Sequence, residues 1–271
     1  MDVSSGYSDG QVAQFDVLGI PISAVRPSQV LSLIRAWSGD QIGRYVCFRD
    51  VASLMACRDD PDLVAVNRTA TLVCPDGMPL VWLGRAKGMD IARTSGPDMF
   101  DVICSNSYGL KHYFYGGKPG VAERLAEKCQ QRYPGIQIVG TECPPFRDLT
   151  AQEMEETRQR IERSGAHVIW VGISSPKQDR WMRDNVGGLT QTLLGVGAAF
   201  DFHAGEVRRA PVWMRRSGLE WAHRLWSEPR RLWRRYLVLA PMFVFLTVRD
   251  GLWLRKSRER TKPISSAPRV L

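Results

Sequence analysis

The chain has 271 residues, 44% hydrophobic and 24% charged, which suits one large domain with a sizeable core and excludes a disordered chain. Its six cysteines are scattered with no C-x-x-C pair, the usage of reduced cytosolic thiols and not of a disulfide scaffold. The formal net charge of +9 is unevenly placed: residues 206–262 hold fifteen basic and five acidic side chains, and the rest of the chain twenty-two and twenty-three. A near-neutral body with a cationic tail calls for an anionic partner: a membrane, a nucleic acid or phosphates. The four histidines are as dispersed as the cysteines, so neither a metal cluster nor a cofactor is expected. The polar N-terminus lacks the apolar stretch of a secretory signal. The longest apolar run, 237–248, falls short of the roughly 20 residues that span a bilayer, so an integral membrane protein is not expected.

From about residue 44 to residue 200, short apolar runs alternate with helical patterns. A strand is expected at Tyr45–Phe48 and a helix at Val51–Cys57. The DDPD segment, 59–62, contains Asp60-x-Asp62, which could be a metal-binding element; lying at a helix end beside a proline, it reads as a polar turn between two helices. The next strand, Thr71–Cys74, delivers Asp76 to a turn at its carboxyl end, before a helix at Met78–Lys87. That is where a catalytic base is commonly displayed; an ordinary Asp-Gly turn is the plain alternative. A helix at Asp98–Ser105 and a strand at His112–Tyr115 lead into the turn YGGKPG, 115–120. Gly116, Gly117 and Lys118 could bring backbone and charge to a phosphate at the start of the helix Gly120–Arg132, or simply make a tight turn.

Beyond the strand Ile136–Val139, Thr150 and Glu153 form a capping box for a helix at Ala151–Arg163. The strand Val168–Val171 is followed by Ser174 and Ser175, which can cap the helix Lys177–Asn185 begun by Pro176. Lys177 could there meet a phosphate and Gln178 a sugar or base, unless both are merely solvated. A last strand, Thr192–Val196, runs into GVGAAFDFHAG, 195–205. Asp201, between two phenylalanines, could bind sugar hydroxyls, cap the helix or pair with an arginine. His203 is a conceivable general base, though a lone histidine is more commonly structural. Several of the helices open with proline near the first turn (Pro97, Pro119, Pro176), where its missing N–H costs nothing. Strands alternating with helices argue for an α/β fold: a mostly parallel sheet covered by helices, with ligands at the carboxyl ends of the strands.

After residue 205 the chain becomes rich in Trp and Arg at helical spacing. Arg231 and Arg235 lie one turn apart, with Arg224 about two turns earlier, a row of guanidinium groups that suits diphosphate oxygens. Trp and Arg together also suit a membrane interface. The expected organisation is an α/β core at 1–205, a basic amphipathic helical appendage at 206–262 and a disordered tail at 263–271.

In order along the chain, CPDGMPLVW (74–82), RTSGPDMF (93–100), YFYGGKPG (113–120), GISSPKQDRW (172–181), GVGAAFDFHAG (195–205) and the Arg/Trp-rich stretch 209–237 resemble the WecG/TagA/CpsF family of bacterial glycosyltransferases. The resemblance spans about residues 12–240, and its last two elements together are highly specific. It implies a Rossmann-like core and an inverting, metal-independent transfer from a UDP-sugar to a polyprenyl-diphosphate-linked sugar. It also implies Asp76 as general base, Arg93 and Gln178 as polar residues of the pocket, and Arg224, Arg231 and Arg234 as ligands of the donor diphosphate. Asp201 and the 116–118 turn join the donor side as candidates. One departure stands out: Cys47-Phe48-Arg49 replaces the Thr-x-Asn usual after the early strand, which points away from an N-acetylmannosamine-type donor and toward the hexose-transferring exopolysaccharide members. Cytoplasmic residence on the inner face of the membrane follows from the tail, and self-association is left open. Two rivals remain: a basic module for nucleic acid or membrane, which accounts for the tail and little else, and a nucleotide-sugar-binding relative without catalysis. Nucleic acid is not among the expected partners.

Overall fold

The computed structural model describes residues 11–206, 210–211, 214, 220–227, 229–249 and 260–263. Of the tail expected to be disordered, 263–271, Pro263 is described and 264–271 lie outside, as do Arg255, Lys256 and Arg258. The chain begins with strands β1 (Gln11–Val17) and β2 (Ile20–Ser23), paired antiparallel across a two-residue turn in which Leu18 and Gly19 both have positive φ, 54° and 85°. Helix α1 (Pro27–Trp37) follows, burying Val30, Ile34 and Trp37 along one stripe.

The body is a six-stranded sheet of β3 (Arg44–Arg49), β4 (Leu72–Pro75), β5 (Lys111–Gly116), β6 (Gln137–Glu142), β7 (Val168–Gly172) and β8 (Thr192–Gly195). The order is β4-β3-β8-β7-β5-β6, and all five neighbouring pairs are parallel. Parallel strands need crossovers, supplied by α2 (Val51–Ala56), α3 (Pro61–Thr69), α4 (Met78–Ala86), α5 (Gly96–Ser105), α6 (Val121–Arg132), α7 (Ala151–Ser164) and α8 (Lys177–Asn185); a short α9 (Ala199–His203) leaves β8.

Side chains alternate between two cores, which is why the strands read as near-continuous apolar runs. Tyr113, Tyr115, Ile169, Val171 and Leu193 pack under α2, α3, α7 and α8. Phe114, Val168, Trp170 and Leu194 pack under α1, α5, α6 and α9. The α/β fold expected from the alternation is therefore present, with element ends displaced by up to three residues, as at β6. Val51–Cys57 stops being α-helical at Ala56 and tightens into a 3-10 turn at Cys57–Asp59. The N-terminal hairpin, α1 and α3 add to the elements foreseen from residue 44 onward. The DDPD segment lies where two helical segments meet, as expected, with Asp60 at the N-cap of α3 and Asp62 already in its first turn. Asp60 caps α3 through the Leu63 N–H (3.1 Å), and both carboxylates pair with Arg180 at 2.5 and 2.7 Å, Asp62 also with Arg183.

Toward the C-terminus the chain is α-helical at Glu220–Ser227 and Pro229–Trp233, widens into a π-helical stretch at Arg234–Leu239 and continues as α-helix through Ala240–Arg249. Phe243 and Leu246 of that last segment are buried in the core under α2. Helical character does not extend through 260–263: Arg260–Pro263 forms β9, antiparallel to β1. Among the described residues no helix is long and apolar enough to cross a membrane.

His112 opens the buried centre of β5. Its Nδ1 accepts from the Trp170 indole N–H at 3.1 Å, so the ring is neutral there. Burial, with a smaller contribution from His167, pushes its pKa down to about 4. A lowered imidazole pKa means that the unfolded chain binds the extra proton, so stability is full above the ordinary histidine value and is lost as pH falls toward 4. The expected loss attributable to this residue is about 3 kcal/mol between pH 7 and pH 4. Denaturant unfolding at the two pH values should show it, and His112→Gln should flatten that part of the slope.

Candidate active site

All six sheet strands end on one edge, and the turns that leave it carry the candidate residues. The Asp76 N–H donates to the Arg49 carbonyl and the Thr94 N–H to the Pro75 carbonyl, both at 2.8 Å. The loop after β4 is thereby held between the end of β3 and the segment leading into α5. Gly77 and Gly96 permit the approach: a Cβ on Gly96 would lie 3.3 Å from Val196 Cα, and one on Gly77 3.4 Å from Asp50 Cα.

Asp76 and Arg93, 17 residues apart in sequence, meet here. Arg93 Nε donates to the Asp76 carbonyl (2.8 Å) and Nη2 lies 3.3 Å from the Asp76 carboxylate. Nη1 of the same guanidinium lies 3.4 Å from Asp98, whose carboxylate also accepts from the Ser95 hydroxyl at 2.6 Å. Asp76 stays 29% exposed. A carboxylate that is fixed yet open to solvent can take a proton from an incoming hydroxyl. Asp98 and Ser95 had no signal of their own beyond a cap sequence, since the bridging role depends on where Arg93 folds back.

The other strand ends complete the edge. Gln178 is buried at the start of α8, beside Gly195 and Gly197, and its Oε1 has no protein partner among the described residues. The serines before it do not cap the helix as expected. The N-cap position is Pro176, Ser174 has φ 70° and accepts from the Gln178 N–H through its carbonyl, and the Ser175 hydroxyl goes to Asp179. Lys177 is drawn outward to Asp148 at 3.3 Å.

In the 116–118 turn, glycine is required on packing grounds. A Cβ on Gly116 would fall 2.5 Å from the Gly172 carbonyl carbon and one on Gly117 2.8 Å from Val121, with both φ values positive. Lys118 is exposed and acts electrostatically on Asp201, whose carboxyl is held above the usual range by burial, against the pull of Lys118. His203 stacks on Phe100 at 4.4 Å and its Nε2 lies 3.2 Å from the Pro97 carbonyl. The side chains of Arg224, Arg231 and Arg235 lie outside the described residues; Arg234 is exposed, over the Trp233 ring.

Sequence reasoning noticed Arg49 only as a departure and missed Asp179. The structure buries both, at 3% and 1% exposure, with Arg49 Nη1 3.1 Å from Asp179 Oδ2. Arg49 Nε donates to Asn67 Oδ1 at 2.6 Å. Burial works against the guanidinium's charge, but the neighbouring Cys47 and Asp179 outweigh it and raise its pKa. Removing one partner of such a pair strands the other charge, whereas removing both leaves an apolar contact. Arg49→Met alone should destabilise the fold by about 3–5 kcal/mol, and Arg49→Met with Asp179→Leu by far less, as read from denaturant midpoints.

Residues 15–257 match the model of the glycosyl transferase WecG/TagA/CpsF family. The match takes in every strand of the parallel sheet and every loop of the edge just described, and the chain belongs to that family.

Proposed function

Starting from that membership, we propose that this glycosyltransferase moves a hexose or N-acetylhexosamine-type sugar from a UDP-sugar to a polyprenyl-diphosphate-linked acceptor. The product would feed a cell-surface polysaccharide, and the Cys47-Phe48-Arg49 departure favours an exopolysaccharide. The observation that carries the reading is the partly exposed Asp76 carboxylate at the carboxyl end of β4, oriented by Arg93.

In this mechanism the acceptor hydroxyl approaches Asp76, which takes its proton as the oxygen attacks the anomeric carbon. The nucleoside diphosphate leaves from the opposite face, so one displacement inverts configuration. Leaving-group charge is met by fixed donors: Gln178 and the strand-end glycine turns near the sugar, with Arg224, Arg231 and Arg234 of the appendage assigned to the diphosphate. Asp201, whose carboxyl burial pushes up against the opposing pull of Lys118, is assigned to donor hydroxyls. The Asp60-x-Asp62 pair is already engaged by Arg180 and Arg183, which argues for arginines and not a divalent ion as the counter-charge.

Residues 206–262 are assigned a second task, docking on an anionic membrane from its cytoplasmic side. Between 229 and 249, Trp233, Leu237, Val244, Phe245 and Val248 are exposed, with Arg230, Arg234 and Arg249 also exposed on that stretch. Apolar side chains beside arginines suit the headgroup region, where each cation near an anionic surface contributes about 1 kcal/mol.

Asp76→Asn should keep the fold and donor binding while turnover falls by about 100-fold or more. Steady-state transfer with a UDP-sugar panel and a synthetic lipid-diphosphate acceptor, read by product mass, is the test; near-wild-type turnover removes Asp76 from the mechanism. Activity should persist in EDTA, and abolition with rescue by magnesium or manganese would return a metal to the account. Arg231→Ala should abolish transfer to lipid-linked and short soluble acceptors alike with little loss of liposome binding. Replacing Arg255, Lys256 and Arg258 by Ala should do the reverse. Full-rate transfer to the soluble acceptor by a chain ending at Glu206 would reduce the appendage to an anchor.

A further inference from the structure

Between α2, α3 and the start of α8 lies a cleft of about 240 Å³ whose lining includes Arg49 and Asp179, with Ser53, Ser175, Ala52 and Leu63 around them. Among the described residues each member of the buried pair keeps one polar atom without a protein partner, Nη2 of Arg49 and Oδ1 of Asp179. A buried donor and a buried acceptor left unmet are costly, so sites of this kind normally hold something that bonds to them. The volume is that of about eight waters in the liquid, room for one sugar ring as well as for solvent.

Charge narrows the occupant. A phosphate or carboxylate would gain Arg49 but face Asp179, and a cation would meet the converse. A neutral group that accepts one hydrogen bond and donates another satisfies both atoms at once. The cleft also borders the candidate base, because the Asp76 N–H is bonded to the Arg49 carbonyl at 2.8 Å.

We propose that the Arg49–Asp179 cleft is a subsite for a neutral sugar ring, recognised through a substituent that both accepts and donates a hydrogen bond, and that it rejects anionic sugars such as uronic acids. The inference rests on the sugar-transfer reading for its place in the reaction. Arg49 and Asp179 act here as specificity residues, and the proton transfer stays with Asp76.

The direct test is the Arg49 Nε–H resonance in the full chain, slowed in exchange by burial and its bond to Asn67 and assigned by its loss in Arg49→Lys. Titration with free glucose and N-acetylglucosamine should shift it saturably, and glucuronate should not. Ala52→Leu, which adds bulk to the cleft from α2 and leaves both members of the ion pair in place, should weaken the neutral-sugar response by about tenfold or more. No shift with either neutral sugar, an equal shift with glucuronate, or an unchanged response in Ala52→Leu overturns the proposal. Kinetics locate the ring: Ala52→Leu should raise KM for the UDP-sugar if the donor supplies it, or for the lipid-linked acceptor if the acceptor does, with kcat changed less. KM unmoved for both also overturns it, the cleft then holding solvent alone. A wild-type protein that transfers no sugar would sink the functional reading, while the resonance still decides the cleft.

Discussion

A guanidinium and a carboxylate buried against each other fix the carboxyl edge of the sheet. Arg49 ends β3 and Asp179 lies in the first turn of α8, which follows β7, and β8 separates those two strands in the sheet. Two bare charges at that depth would be prohibitive; together, with Asn67 and Ser175 taking further bonds, they are tolerable, and they hold α8 to the end of β3. The Arg49 carbonyl then receives the Asp76 N–H, and Asp76 receives Arg93. A chain of single contacts thus runs from the buried pair to the carboxylate assigned to catalysis. Among the described residues the pair also leaves two polar atoms unmet, and the proposed sugar subsite would answer them.

The chemistry assigned to this edge divides between rigid and added parts. Within the α/β core, strand ends and glycine turns set backbone positions to within the tolerance of single Cβ atoms, as at Gly116 against Gly172. Positive charge for a diphosphate is limited on that edge: Arg49 and Arg93 pair with carboxylates, Lys177 points to Asp148, and Lys118 of the glycine turn is exposed. The cations in excess lie after residue 205. On the proposed reading the tail meets the donor's charge, at the surface where a lipid-linked acceptor would reside.

What the sequence made legible were features written locally. Strands such as Val168–Gly172 are buried on both faces, so nearly every residue is apolar and the run stands out. Thr150 and Glu153 form the capping box that their spacing implies. Asp76 could be placed at a strand end for the same reason. The N-terminal hairpin was less visible because Gln14 and Asp16 interrupt its apolar pattern, and the Leu18-Gly19 turn lacks the usual Asn-Gly signature. Distance hid the rest. Arg49 and Asp179 are 130 residues apart, and nothing in either neighbourhood marks a partner. Ser175 looked like a helix cap because its spacing allows one; its hydroxyl instead meets the Asp179 carboxylate, a charged acceptor that makes the stronger bond. Arg93 was placed in the pocket by family resemblance, but its division between Asp76 and Asp98 needed the fold.

The central claim is that substrate binds along the carboxyl edge of the parallel sheet. Amide hydrogen exchange on the full chain, with and without saturating UDP-sugar, tests it most directly. The account requires added protection in the turns at 76–78, 93–98 and 195–201 and at the start of α8, with the amino-terminal ends of the strands unchanged. Protection confined to segments away from those turns, in a protein that transfers sugar under the same conditions, would contradict it.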